Sequence, residues 1–234
     1  MSEDCPQRGK IWAMATMSNF ELPPGRDDCI ALIESNTEPQ RPPLCPEIEL
    51  RLFRLDAPLW RDWGRDLFYS GPRPHWAFCW ASGQALARYV LDCPGEVRGR
   101  RVVDFGSGCG VAAIAAALSG AAEATAVDSN PLAILAIEMN AVLNHVRVTA
   151  RLTDPERRDL GEWDVLLAAD VCYRTENRDW LFGLTGQQGL VLVADPGRVE
   201  FPPEHFVRLR QYDVRTVPEI EHADLSRATV YREE

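Results

Sequence analysis

Lysine is nearly missing from this chain of 234 residues: of 25 basic residues only Lys10 is lysine, and the rest are arginine. With abundant alanine, that bias points to a GC-rich coding sequence and a bacterial source. Histidine is scarce as well, and His75, His145, His205 and His222 share no ligand spacing, so no metal is expected. The seven cysteines are scattered, odd in number and without a Cys-x-x-Cys pair, which argues against a disulfide framework and against a zinc centre. Runs of about 18 apolar residues are absent too, since Ser119, Gly120 and Glu123 interrupt even the alanine-rich stretch from Val111 to Val127. No membrane span is expected. The N-terminus carries no basic region leading into an apolar block, and Asp4, Glu21, Asp27 and Asp28 are foreign to a transit peptide. A cytoplasmic protein is the expectation, or one of the mitochondrial matrix if the source is eukaryotic. A net charge of -10 would repel a phosphate backbone, so nucleic acid is not the expected partner.

What is present suits one globular domain with extensions: 46% of residues are hydrophobic and 26% charged. Residues 1–25, polar and ending in Pro23-Pro24-Gly25, read as a disordered lead-in. Residues 26–80 read as an N-terminal extension. It holds a short helix over Asp27 to Ser35, an extended segment through Ile48, Leu50, Leu52 and Leu55, and a tryptophan-rich loop from Trp60 to Trp80. Residues 81–234 read as the main domain, opening with a helix over Gln84 to Leu91. Strand, helix and strand follow at Arg101 to Phe105, Val111 to Ser119 and Ala124 to Asp128, and a helix starts at Asn130-Pro131. Val146 to Leu152, Trp163 to Ala169 and Gly189 to Ala194 add three strands, and Tyr212 to Val217 with Arg227 to Tyr231 form an antiparallel hairpin. Such alternation implies an α/β fold with a mostly parallel sheet covered on both faces.

The chemistry concentrates at strand ends. Asp104-Phe105-Gly106-Ser107-Gly108-Cys109-Gly110 follows a strand and opens a helix, the place where an open α/β sheet holds its ligand. A dinucleotide fingerprint starting at Gly106 requires glycine at 111, where Val111 stands. The shorter spacing, with an acid two residues before the first glycine, resembles motif I of class I methyltransferases, which implies S-adenosylmethionine as cofactor and Asp104, Gly106, Ser107, Gly108 and Gly110 around it. Asp128 lies 22 residues beyond Gly106, near the interval at which an acid meets a ribose diol; a turn or cap before Pro131 is the alternative. Ser129 joins the same group or shares the helix cap with Asn130. Asp154 is a candidate for the adenine amino group, or the first residue of an Asp-Pro turn. Trp80 and Gln84 are candidates for one wall of the cofactor site, against a core aromatic cluster with Trp76 and Phe78. Asp170 and Tyr173 follow the fourth strand, where a carboxylate and a phenol suit an incoming amine; a helix cap and a packing ring are the alternative. Asp195-Pro196-Gly197-Arg198 is either a substrate-side loop or a simple turn.

Over about residues 30 to 201 the chain resembles the electron transfer flavoprotein β-subunit lysine methyltransferase family of seven-β-strand methyltransferases. The likeness runs through Ile33-Glu34-Ser35-Asn36-Thr37, Pro46-Glu47-Ile48, Trp76-Ala77 with Trp80, Gly83-Gln84-Ala85-Leu86 with Arg88-Tyr89, the glycine motif, Asp170 with Tyr173, and Asp195-Pro196-Gly197-Arg198. It departs at Ala81, where proline is usual, and at Cys172, often an aromatic. The resemblance implies a Rossmann-like class I methyltransferase fold with seven strands, and a lysine-channel role for Asp170 and Tyr173. It implies a protein substrate, the flavoprotein β-subunit first and a ribosomal protein second, and a monomeric enzyme. A small-amine N-methyltransferase and a non-catalytic cofactor-binding protein are the remaining alternatives.

Overall fold

The computed structural model describes residues 25–57, 74–153, 159–184, 189–202, 204–216 and 225–233. The expected lead-in falls almost entirely outside them, as do Asp154 and most of the tryptophan-rich loop. The N-terminal part contributes α1 (Arg26–Asn36) and a two-stranded antiparallel sheet, β1 (Thr37–Gln40) with β2 (Leu50–Phe53). A single 3-10 turn, His75–Ala77, leads into α2 (Ala81–Asp92). The main sheet then unfolds in chain order as β3 (Arg101–Phe105), α3 (Val111–Leu118), β4 (Glu123–Asp128), α4 (Pro131–Leu143), β5 (Thr149–Leu152), β6 (Val165–Ala169), α5 (Thr175–Phe182), β7 (Leu190–Asp195), β8 (Phe206–Arg215) and β9 (Leu225–Glu233).

Its spatial order is β5-β4-β3-β6-β7-β9-β8. Neighbours are parallel from β5 to β7, whereas β9 runs antiparallel to both β7 and β8. This is the Rossmann-like sheet of class I methyltransferases. The chain winds outward from β3 towards β5 and then from β6 towards β8, so the direction reverses between β3 and β6, and a crevice opens at their carboxyl ends.

Alternate residues of the strands build the two faces. Val102, Val165, Leu167 and Leu192 pack with Leu86, Val90 and Ile114 of α2 and α3, while Val103, Phe105, Leu166 and Val193 pack with Leu181 of α5. Gly83 lets α2 approach α3 closely: a Cβ there would sit 3.2 Å from Val111 Cγ1. Asn130 caps α4 by accepting from Leu132 N at 2.9 Å, with Pro131 in the first turn.

Several strand bounds differ from those expected, among them β9, which spans Leu225–Glu233. β5 begins at Thr149 because Val146 and Val148 pack on the core without joining the ladder. β6 begins at Val165, and Asp164 instead accepts from Arg101 N at 2.8 Å, which ties the starts of β3 and β6. β8 spans Phe206–Arg215, longer than the expected segment, with an irregularity between Arg208 and Arg210.

The N-terminal part is fastened to α4. Cys29, Ile33 and Phe53 pack with Leu132, Leu135 and Ala136. Asn144 Oδ1 accepts from Glu49 N at 2.9 Å, and Asn140 Oδ1 accepts from Arg51 N at 2.7 Å. Asn140 also donates through Nδ2 to the carbonyl of Cys109 at 2.8 Å, so one fully buried side chain joins β2 to the glycine loop.

Candidate functional site

The loop after β3 is folded by its own backbone. Gly106 N and Ser107 N both donate to Val127 O, at 3.0 and 3.1 Å, and Gly110 N donates to Ser107 O at 2.9 Å. Gly106, Gly108 and Gly110 have φ of +69°, +56° and +86°. At Gly106 the requirement is also steric, since a Cβ there would lie 2.8 Å from Val171 Cγ1. Gly106 is exposed and Gly108 half-buried, so this stretch of main chain faces the crevice without side chains in the way.

Asp104 lies beneath the loop. Its Oδ2 accepts from Ser107 Oγ at 2.5 Å and from Ala113 N at 3.2 Å, tying the loop to the first turn of α3. Burial raises its pKa to about 6, with the hydrogen bonds from Ser107 and Ala113 opposing. Because the folded pKa is above the ordinary value of 3.8, this group's contribution to stability is full at low pH and is lost as pH rises through about 6. Asn at 104 keeps an acceptor for both donors and removes the titration. Melting curves of wild type and Asp104→Asn are therefore expected to move in favour of the variant by several degrees between pH 4.5 and 7.5, the window of a shift worth about 3 kcal/mol at most. A gap independent of pH would disprove the linkage.

Asp128 ends β4 at the rim of the crevice. Its Oδ2 accepts from Gly108 N and its Oδ1 from Asn130 N, each at 2.9 Å, and burial raises its pKa. Ser129 beside it is exposed. The acid thus fixes the middle of the glycine loop while remaining partly open. Opposite, the His75–Trp80 segment borders the loop: His75 O is 3.9 Å from the position of a Gly108 Cβ, and Trp80 Nε1 donates to that carbonyl at 3.1 Å. Trp76 and Phe78 are buried core residues, while Trp80 is partly exposed and edge-on to Phe78.

Gln84 ties the segment before α2 to the N-terminal part. Its Oε1 accepts from Leu44 N at 3.3 Å and its Nε2 donates to Cys79 O at 2.9 Å. Both ends of this buried amide are thus hydrogen-bonded within the chain.

Asp170 follows β6 on the loop that sets Val171 against Gly106. It has φ of +54°, a left-handed conformation that aspartate tolerates better than most residues, and its N–H donates to Ala194 O at 3.0 Å. Its carboxylate, largely buried, takes both ends of the Arg198 guanidinium, with Nε to Oδ1 at 2.6 Å and Nη2 to Oδ2 at 3.3 Å. Tyr173 is 58% exposed and stands on the same loop. Asp195-Pro196-Gly197-Arg198 is a turn closed by its own first residue, for Asp195 Oδ1 accepts from Gly197 N at 2.7 Å and Arg198 N at 2.6 Å. The same turn carries Arg198 onto Asp170. The sequence marks Arg198 only as part of a possible substrate-side loop; its pairing with Asp170, like the role of Asn140, depends on partners far away in the chain.

Known proteins bear on this arrangement. The ribosomal protein L11 methyltransferase (PrmA) family model matches residues 84–171, from α2 through the loop after β6. The electron transfer flavoprotein beta subunit lysine methyltransferase of Danio rerio is 40% identical over 189 residues, covering 78% of this chain and 72% of the relative. The Homo sapiens enzyme of that name is 34% identical over 212 residues, covering 86% and 80%. Among solved structures, a Streptococcus mutans protein described as a SAM-dependent methyltransferase aligns with TM-score 0.56 at 11% identity, over 84% of this chain and 55% of that one, a likeness of fold. Identity of this order across most of both chains, on this sheet and this glycine loop, means that the chain belongs to the electron transfer flavoprotein β-subunit lysine methyltransferase family and is an S-adenosylmethionine-dependent methyltransferase.

Proposed function

We propose that the protein methylates lysine side chains of a protein substrate, the electron transfer flavoprotein β-subunit. The substrate named for the relatives at 34–40% identity carries this reading. The site agrees with it chemically, since a carboxylate and an exposed phenol flank the crevice beside the glycine loop.

The residues present fit the cofactor. The open main chain at Gly106 and Gly108 is space that a Cβ would fill, and Ser107, Gly110 and Asp104 hold that loop in shape. Asp128, with Ser129 beside it, suits a diol, and Trp80 walls the far side. Bound there, S-adenosylmethionine supplies an electrophilic methyl group on a cationic sulfur. What remains for the protein is to present a neutral amine in line, and a lysine with a reference pKa of about 10.4 must first lose its proton. Asp170 accepts a hydrogen bond from the amine and fixes its direction, Tyr173 lines its approach, and the proton leaves to water. Desolvation and the nearby positive charge both favour the neutral amine. The acidic enzyme, with a net charge of -10, attracts a lysine-rich segment.

A second reading, lysines of a ribosomal protein, is favoured by the family model over residues 84–171. Lysate from the source organism lacking the gene, incubated with purified enzyme and labelled cofactor, separates the two when the labelled protein and residue are identified by mass spectrometry. Label on lysines of the flavoprotein β-subunit is expected. Label on ribosomal proteins alone would move the second reading into first place, and label on arginine, nucleic acid or small molecules only would refute both.

A further inference from the structure

We propose that Arg198 is a positioning residue that sets the protonation state of the incoming lysine: by neutralising Asp170 it makes the crevice receive an amine in preference to an ammonium ion. The inference rests on the lysine reading above. It starts from an arrangement that is otherwise unexplained. A carboxylate meant only to attract a lysine ammonium works best unpaired, yet Asp170 is gripped at both oxygens by a guanidinium. The grip is built in two places. The backbone of Asp170 is held in its left-handed conformation by a hydrogen bond to Ala194 O, and Arg198 is delivered by the turn that Asp195 Oδ1 closes. Adjacent strands, β6 and β7, each supply one charge.

The balance of charge around that point decides what it does. On the loop after β6 stand Asp170, Cys172, Tyr173 and Arg174; α5 adds Glu176, Arg178 and Asp179; β7 ends in Asp195 and the turn after it adds Arg198; β3 contributes Asp104, and β4 ends in Asp128. Cys172 is buried and its thiol is pushed up to about 12, which leaves it neutral in the working range. Asp195 is 2% exposed, its Oδ2 has no hydrogen-bond partner among the described residues, and burial raises its pKa. Arg178 is itself paired with Asp179 at 2.9 Å, and the group in bidentate contact with Asp170 is Arg198. With the pair intact, an arriving ammonium meets a neutral ion pair and a cationic sulfur, and neither favours keeping the proton. Without Arg198, the bare carboxylate stabilises the ammonium form and raises the amine pKa. The guanidinium is 46% exposed on its side chain, so its removal leaves the core intact.

The test is the pH profile of turnover for the full-length protein with labelled S-adenosylmethionine and purified electron transfer flavoprotein β-subunit, between pH 6.5 and 10. Arg198→Gln is expected to move the acid limb of kcat upward by about one unit, lowering turnover near neutrality roughly tenfold with no rise in KM. Arg198→Lys, which keeps the charge but not the fork, is expected to return the limb towards its original position. Asp195→Ala, which frees the turn, is expected to shift the limb in the same direction as Arg198→Gln, whereas Asp195→Asn keeps the acceptor and is expected to shift it less. An unchanged limb in Arg198→Gln overturns the inference while leaving the lysine reading standing, and so does equal loss at all pH values in Arg198→Gln and Arg198→Lys. A wild-type enzyme that yields no methyl-lysine on the β-subunit removes the reading and the inference together.

Discussion

Gly106→Val is expected to abolish S-adenosylmethionine binding in a protein that still folds. Two costs coincide at this position. A β-branched residue would have to adopt φ of +69°, which costs of the order of 1–3 kcal/mol for a side chain other than glycine. Its Cβ would also stand 2.8 Å from Val171 Cγ1, so either the loop after β3 or the loop after β6 must move. Each 1.4 kcal/mol is about tenfold in affinity, so a loss of at least about a hundredfold is expected by calorimetry. Gly106→Ala separates the two costs. Paired with Val171→Ala it is expected to regain the steric part of the loss and retain the backbone part. Asp128→Ala is expected to weaken binding by a different route, because Gly108 N and Asn130 N lose their acceptor. NAD is expected not to bind at all. A folded Gly106→Val protein with unchanged affinity would remove the glycine loop from the cofactor site.

The parts of this architecture that sequence alone discloses are those whose physics is local. β3, β4 and the loop between β3 and α3 are legible because a buried parallel strand is a short apolar run, and because glycine at left-handed positions is written directly into the chain. The cap at Asn130 with Pro131 is local as well. The first half of β8, before Tyr212, escapes for the opposite reason. The strand lies at the edge of the sheet, with exposed Arg208, Arg210, Gln211 and Asp213 along it and an irregularity that breaks the alternation, so its period is blurred.

Side-chain direction is the other thing that stays hidden. Gln84 sits in the first turns of α2, close to the cofactor loop in sequence logic, yet its partners are Leu44 and Cys79, and the first of these is 40 residues away. Asn140 lies on α4 and Asn144 is the cap at its end. Their role becomes visible only when β2 arrives against that helix and finds two amides waiting for its backbone. The N-terminal part therefore serves as a strap over α4, and through Asn140 it reaches the glycine loop. Asp104 shows the same limit inside a motif: its position next to the glycines is plain from the sequence, whereas the burial that sends its carboxylate to Ser107 and Ala113 is not.

Asp170→Asn is expected to lower turnover by roughly a hundredfold or more while changing cofactor affinity less than about threefold, the split that marks an interaction made with the reacting amine. Asparagine is the informative replacement here. It tolerates φ of +54° about as well as aspartate, so the backbone that follows β6 keeps its hydrogen bond to Ala194 O and no strain is added. What is lost is one negative charge and one acceptor, and with them the bidentate partner of Arg198. The remaining guanidinium then opposes a cationic substrate, so the variant is expected to bind the β-subunit lysine more weakly at neutral pH. Tyr173→Phe removes only a hydroxyl from an exposed ring, and a smaller loss, roughly tenfold in turnover, is expected with melting temperature unchanged. Single-turnover rates with saturating S-adenosylmethionine, set beside calorimetric affinities for the same variants, decide the matter. Parallel losses of rate and cofactor affinity would reassign Asp170 and Tyr173 to holding the cofactor or the fold, and would leave the orientation of the amine to other residues of the crevice.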